Sequence, residues 1–310
     1  MNGPTTRSGG PGPTAPGPPE VAAVSGDRLA AVRTLLFTPG NRPDRFAKAE
    51  ATGADGQILD LEDAVSGAEK DAARRTVIDY LAGAPRADGF LRCLRINGLQ
   101  TSAGFKDVAA LADSGVRPDA ILLPKAESPA HIALLEQVLW PDAVPWVALI
   151  ETARGLRAAE AIARHPAVGA VAFGAADLAA DLGAELAWEP MLAHRAHVAR
   201  AAAGGRVPAW DVPYFDLGAP DDRALVEEAR RARALGYAGK LAIHPKHVAP
   251  ILEVFTPSEA EAERARRIAD AYERARGNVC EVDGKMIDVP IYRSAKAVLA
   301  RARRALPSGS

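Results

Sequence analysis

Cysteine is scarce: Cys93 and Cys280 are the two in the chain. They form neither a metal-ligand motif nor a disulfide framework, which fits a reducing cytosol. Cys93 sits in an apolar, strand-like run, where a thiol is an ordinary core side chain. An excess of charge of either sign is also missing. The 38 Lys and Arg stand against 39 Asp and Glu, a formal net charge of -1, so the strongly basic balance typical of proteins whose main partner is nucleic acid is absent. No stretch approaches the roughly 20 apolar residues that cross a bilayer. The N-terminus has neither the basic start nor the apolar stretch of a secretory leader. The expectation is a cytoplasmic protein with no membrane and no nucleic-acid partner. What remains, 48% hydrophobic and 25% charged residues, is an ordinary globular profile.

Residues 1–27 are dense in Gly, Pro, Ser and Thr. With little apolar content they cannot offset their ordering entropy by burial, so a disordered tail is expected. Beyond them the chain alternates. Apolar runs at 32–39, 56–63, 90–97, 119–125, 145–151, 169–174, 206–213 and 239–245 are each followed by an amphipathic stretch. The runs are continuously apolar, as strands buried on both faces of a parallel sheet must be. Gly53, Gly115 and Gly236 close helix-like segments. Eight strand–helix repeats predict a TIM (β/α)8 barrel over residues 28–255. The competing open doubly wound sheet often carries a Gly-rich dinucleotide turn after its first strand, and TPGNRPDRF stands there instead. Residues 256–310 add a C-terminal extension of helix, hairpin and helix, with Asp283-Gly284 as a type I′ turn signal. The extension is too short for a core of its own and is expected to pack on its barrel or on a neighbouring subunit.

A TIM barrel keeps its active site at the C-terminal ends of the strands, so the polar residues that stop the apolar runs are the candidates. The fifth run stops at Glu151. The sixth stops at Gly174, with Asp177 three residues on. Neighbouring strands lie about 4.8 Å apart, which lets both carboxylates converge on one point. Two acids without a Cys or His cluster suit a hard cation, Mg²⁺ or Mn²⁺ in its place. Alternatively both are first-turn helix acids. Arg95 ends the third run; there it can clamp a carboxylate or a developing oxyanion. The second run ends in Asp60, Glu62 and Asp63, which can bind metal, orient its water or pair with Arg95. Glu62 and Asp63 are read as outer partners of the metal, Asp63 alternatively as a helix cap. Arg42, Arg45 and Lys48 share one side of the first helix and either receive a phosphate-rich ligand or form a solvated face. Lys125, with Glu127 two residues on to keep it protonated, reads as an ion-pair residue rather than a Schiff-base nucleophile.

The segments LFTPGNRPDRFAKA, LDLEDAV, LRINGL, ILLPKAES, LIETARG, AFGAADL, GYAGKLAIHPKHV and GKMIDVP occur in this order between Arg33 and Ala302. As a set they resemble the citrate lyase β-subunit-like branch of the HpcH/HpaI aldolase superfamily. The resemblance implies a TIM barrel with Mg²⁺ held by Glu151 and Asp177. It implies that Arg95 binds the substrate's carboxylate or carbonyl oxygen, and that Arg42, Arg45 and Lys48 receive the phosphates of coenzyme A. Trimers or hexamers are implied, in which Asp288 of the extension reaches a neighbour's site and supplies an acid. The expected reaction joins or cleaves a carbon–carbon bond, with a malyl-, citramalyl- or citryl-type 3-hydroxyacyl-CoA on one side and an acyl-CoA plus a 2-oxo acid on the other. Four alternatives stay open at this point: a thioesterase for malyl-type CoA esters, an aldolase for free 2-oxo acids, a lyase subunit serving an acyl carrier, and a barrel kept as a non-catalytic subunit.

Overall fold

The computed structural model describes residues 26–85, 88–139 and 144–305. The tail expected over residues 1–27 falls outside them as far as Ser25. Eight strands lie side by side in chain order: β1 (Leu35–Pro39), β2 (Gly56–Asp60), β3 (Leu91–Arg95), β4 (Ala120–Leu123), β5 (Trp146–Ile150), β6 (Val168–Phe173), β7 (Ala209–Asp211) and β8 (Gly239–Lys240). Every neighbouring pair is parallel. The ring closes where the Ala242 N–H donates to Leu35 O at 3.0 Å and the Phe37 N–H donates to Ala242 O at 2.8 Å. This is the TIM barrel the repeats predict.

The continuous apolar runs are explained by two interiors. Leu35, Ile58, Cys93, Leu122, Leu149 and Leu241 belong to the cluster inside the barrel. Their neighbours Leu36, Leu59, Leu94, Ile121 and Ile150 belong to the layer between strands and helices, as a period-two strand buried on both faces requires. Inside, large packs against small: Trp210, fully buried, pairs in register with Ala172. The helices α1 (Gly26–Leu29), α2 (Phe46–Glu50), α3 (Lys70–Gly83), α4 (Ser102–Ser114), α5 (Pro129–Val138), α6 (Ala153–Ala163), α7 (Ala175–Leu182), α8 (Trp188–Gly205), α9 (Arg223–Ala234) and α10 (Val248–Phe255) occupy the connections and ends of the barrel. The α1 turn begins inside the stretch read as tail, because Leu29 enters the interior cluster and plugs the N-terminal mouth. Gly169 makes room for it; a Cβ there would lie 2.7 Å from Leu29 Cδ1.

After the barrel come α11 (Glu259–Arg274), the hairpin β9 (Cys280–Val282) and β10 (Lys285–Ile287), and α12 (Val289–Ala305). Ser258 and Glu261 form a capping box that starts α11. Asp283 and Gly284 both hold positive φ, 54° and 72°, the backbone a type I′ turn demands. The expectation that the extension lacks a core is revised. Ala265, Ile268, Tyr272, Ile287 and Ala295 form a small apolar cluster, because the hairpin brings α12 back onto α11. Arg233 of α9 ties it to the barrel, donating to Val254 O at 3.0 Å and to Glu261 at 2.8 Å. Among the described residues no helix is long and apolar enough to cross a membrane.

Candidate active site

The period-two alternation of each strand continues past its apolar part, and the next inward steps are polar, or glycine after β6. Ile58 is followed by Asp60 and Glu62, Cys93 by Arg95, Leu149 by Glu151 and Ala172 by Gly174. These residues gather at the C-terminal mouth. Asp60 and Arg95 stand opposite each other in the β2–β3 register. Arg95 binds Asp60 through two parallel bonds, Nε to Oδ1 at 2.7 Å and Nη2 to Oδ2 at 2.6 Å. Its Nη1 reaches Glu62 at 2.8 Å and Asp63 at 3.2 Å. Burial disfavours the cation, but Asp60, Glu62 and Asp63 outweigh it and hold the guanidinium charged. Asp60 in turn accepts the Glu62 N–H at 2.8 Å and the Ala64 N–H at 3.2 Å. The Phe37 ring lies beneath Arg95 at 4.8 Å. A guanidinium fixed by a bidentate carboxylate and a ring is a preorganised donor. Asp60 is the strongest of its partners, so of the roles open to the acids that end the second run it takes the pairing with Arg95.

Glu151 and Asp177 also meet. Glu151 is 2% exposed and Asp177 38%. Thr152, not Glu151, caps α6 by accepting the Gly155 N–H at 3.0 Å, so Glu151 is free of that duty. Asp177 does lie in the first turn of α7, as the alternative reading had it. Both contact one ammonium: Lys125 Nζ is 3.8 Å from Glu151, 3.2 Å from Asp177 and 3.1 Å from Glu62. The expected pairing of Lys125 with Glu127 is therefore corrected. Glu127 instead accepts from the Thr152 hydroxyl at 3.0 Å and pairs with Arg154 at 3.2 Å. The reason is backbone: Lys125 holds φ 49°, which turns it off the line of β4, which ends at Leu123. Burial pushes the Glu151 carboxyl up to about 8, with Glu62 and Asp177 adding to the effect. Burial likewise raises Glu62.

Among the described residues no group of three or more His, Cys, Asp and Glu side chains is arranged to hold a metal by itself. Two converging carboxylates nonetheless fit Mg²⁺, which commonly takes one or two protein carboxylates and fills its octahedron with water and substrate oxygens. That Glu151 and Asp177 already share one cationic partner is the observation in favour.

Above these acids opens a cavity of about 790 Å³. Arg95, Glu151 and Asp177 line its inner part, and Arg42, Arg45 and Lys48 line it too, with His244 and Phe215. Arg42 pairs with Asp44 at 2.9 Å. A smaller cavity of about 460 Å³ shares Asp63 with it and is lined also by Glu62 and Lys125. Asp288 lines neither cavity. It precedes α12 and accepts the Ile291 N–H at 3.2 Å.

Comparison with known proteins gives the family. The family described as HpcH/HpaI aldolase/citrate lyase matches residues 33–245, and that described as C–C bond lyase of the TIM-barrel fold matches residues 196–304. A (3S)-malyl-CoA thioesterase of Cereibacter sphaeroides is 34% identical over 275 residues, covering 87% of this chain and 94% of its own length. An L-malyl-CoA/β-methylmalyl-CoA lyase of the same organism is 33% identical over 303 residues, with the same coverage. The crystal structure of CitE from Mycobacterium tuberculosis in complex with magnesium, acetoacetate and coenzyme A superposes with a TM-score of 0.74 at 35% identity, covering 89% of this chain and 100% of that one. With the barrel, the order of its segments and these relatives in agreement, the chain belongs to the HpcH/HpaI aldolase/citrate lyase family.

Proposed function

We infer that this protein is a Mg²⁺-dependent carbon–carbon lyase that cleaves or forms a malyl-, citramalyl- or citryl-type 3-hydroxyacyl-CoA, with an acyl-CoA and a 2-oxo acid on the other side. The observation that carries the reading is the convergence of Glu151 and Asp177 on one cation position at the inner end of a cavity also lined by Arg42, Arg45 and Lys48. The acids would hold the ion, and the three cations would receive the phosphates of coenzyme A. When bound, the ion supplies Lewis-acid polarisation of the oxo acid's oxygens.

The chain's own groups do the rest. Arg95, pinned by Asp60, keeps N–H donors at the mouth where the carbonyl oxygen of the acyl group gathers charge as the bond breaks. In the condensation direction the proton on the acyl α-carbon needs a base, and Asp288 is the proposed one, acting from a neighbouring subunit; in cleavage a base takes the hydroxyl proton and the enolate carbon is protonated. Its place outside both cavities of its own subunit supports action in trans, as do the exposed Met286, Val289 and Ile291 around it. A homotrimer or hexamer provides such a neighbour.

Gly174 sets a tight tolerance on the site. A Cβ there would lie 2.5 Å from both Cβ and Oε2 of Glu151, so Gly174→Ala must displace the carboxylate. Turnover should fall by about 100-fold, the cost of a misplacement of roughly 1 Å, and the melting temperature should drop by several degrees, since overpacking of this kind costs about 1–3 kcal/mol. Activity within threefold of wild type would mean that Glu151 is not held to that position.

The activity itself is tested by mass spectrometry of the protein with Mg²⁺, acetyl- or propionyl-CoA, and glyoxylate or pyruvate. A condensed hydroxyacyl-CoA is the expected product. Free CoA with no adduct, while acyl-CoA alone stays intact, would instead establish thioester hydrolysis, the activity that names the C. sphaeroides thioesterase. No change with any pair would overturn the lyase reading for these substrates.

A further inference from the structure

Lys125 is the cation that Glu151 and Asp177 already share, and it has no part in the reaction outlined above. It stands on strained backbone, a non-glycine residue at φ 49°, a conformation that persists where surroundings impose it and that gathers at functional sites. The strain serves two contacts at once. The Lys125 N–H donates to Glu151 Oε1 at 2.8 Å, and the side chain returns to the mouth to touch Glu62, Asp177 and Glu151. One ammonium thus gathers three carboxylates, two that follow β2 and β5 and one in the first turn of α7, the first two largely buried.

A divalent ion cannot join this arrangement unchanged. Mg²⁺ sits about 2.0–2.1 Å from its ligand oxygens, so an ion on Glu151 and Asp177 would lie within a few ångströms of Nζ, where like charges repel in a poorly screened site. The neighbouring cavity of about 460 Å³ is lined by Lys125 and Glu62, together with Asn97, Gln100 and Thr101. It gives the ammonium a polar place to move to without leaving Glu62.

We propose that Lys125 is the built-in counter-ion of the metal site: it assembles the carboxylates, competes with the divalent ion for Glu151 and Asp177, and withdraws toward the smaller cavity with Glu62 when the ion binds. Lys125 is then a positioning residue that sets how tightly the metal is held. The inference rests on the metal assignment made above.

The test uses the full-length protein stripped with EDTA, with Mn²⁺ as the probe, read by electron paramagnetic resonance of free Mn²⁺ and by thermal melting. Lys125→Met should bind Mn²⁺ at least tenfold more tightly than wild type. It should melt lower than wild type in EDTA, and the gap should close at saturating Mn²⁺. Lys125→Arg, which keeps the charge, should restore both values toward wild type. Should Lys125→Met fail to fold, Lys125→Gln carries the same expectations. Asp177→Asn separates the two readings. If wild type binds Mn²⁺, Asp177→Asn does not, and Lys125→Met binds with unchanged or weaker affinity, the counter-ion proposal falls while the metal assignment stands. If wild type binds no Mn²⁺, both fall.

Discussion

Asp177→Ala should lower metal-dependent turnover by about 10³-fold, the loss of ~4 kcal/mol of transition-state stabilisation expected when a Lewis-acid ion is no longer held. Asp177 is a cleaner probe than Glu151. It is partly exposed, its ion pair is with Lys125, and it sits in the first turn of α7, where Ala is a good helix former. Glu151 is buried and accepts the Lys125 N–H, so its removal would also orphan a backbone donor and confuse chemistry with folding. The measurement pairs steady-state kinetics across a Mg²⁺ titration with a melt in the same buffer. The expected result is a folded protein that no longer responds to the ion. Retention of a tenth of wild-type turnover would exclude Asp177 as a ligand.

The second large effect concerns stability. Outside β7 and β8, under α8 and α9, lies a buried ionic cluster. Lys240 Nζ is fully buried and bonds Asp211 at 2.8 Å, Glu228 at 2.6 Å and the Val212 carbonyl at 2.7 Å. Arg195 Nε bonds the other Asp211 oxygen at 2.9 Å and lies over the Trp188 ring at 4.5 Å. Asp211 thus neutralises two cations at once. Asp211→Ala leaves Lys240 with Glu228 and the Val212 carbonyl but leaves the buried Arg195 with only Glu228 at 4.0 Å, and should cost about 3–5 kcal/mol. For a chain of this size that is a fall in melting temperature on the order of 10 °C. Lys240→Met should cost less, because it removes a charge and fills the space with a flexible apolar side chain. If Asp211→Ala unfolds within 1 kcal/mol of wild type in urea, the cluster is not a source of cohesion.

The barrel was legible because doubly buried parallel strands have an unmistakable pattern. Runs such as those ending at Glu151 and Gly174 stay apolar through both faces and turn polar only at the mouth. Even the three-residue β7 and two-residue β8 were found, since their runs extend past the hydrogen-bonded part. The site was legible where a side chain projects along its strand, as Arg95 and Glu151 do. It was not legible at Lys125, whose left-handed backbone sends it to acids 26 to 63 residues away rather than to Glu127 nearby. The Arg195–Asp211–Lys240 cluster was hidden for a related reason. Arg195 looks like a solvated charge on a helix, Asp211 and Lys240 stand inside runs read for their apolar neighbours, and only the packing of α8 against β7 brings the three together. The core of the extension was missed because its apolar residues are thinly spread, and the hairpin is what brings them together.

The closure of the ring by its first and last strands has a consequence for synthesis. Until the residues around Ala242 are made, β1 has a bare edge on one side and the most recently added strand has another. Unpaired edges of this kind are templates for wrong association. No shorter version of the chain can remove them by curling up on itself, since the tilt and stagger that close a barrel depend on the number of strands. A truncation anywhere before Ala242 should therefore yield a sticky open sheet rather than a smaller barrel.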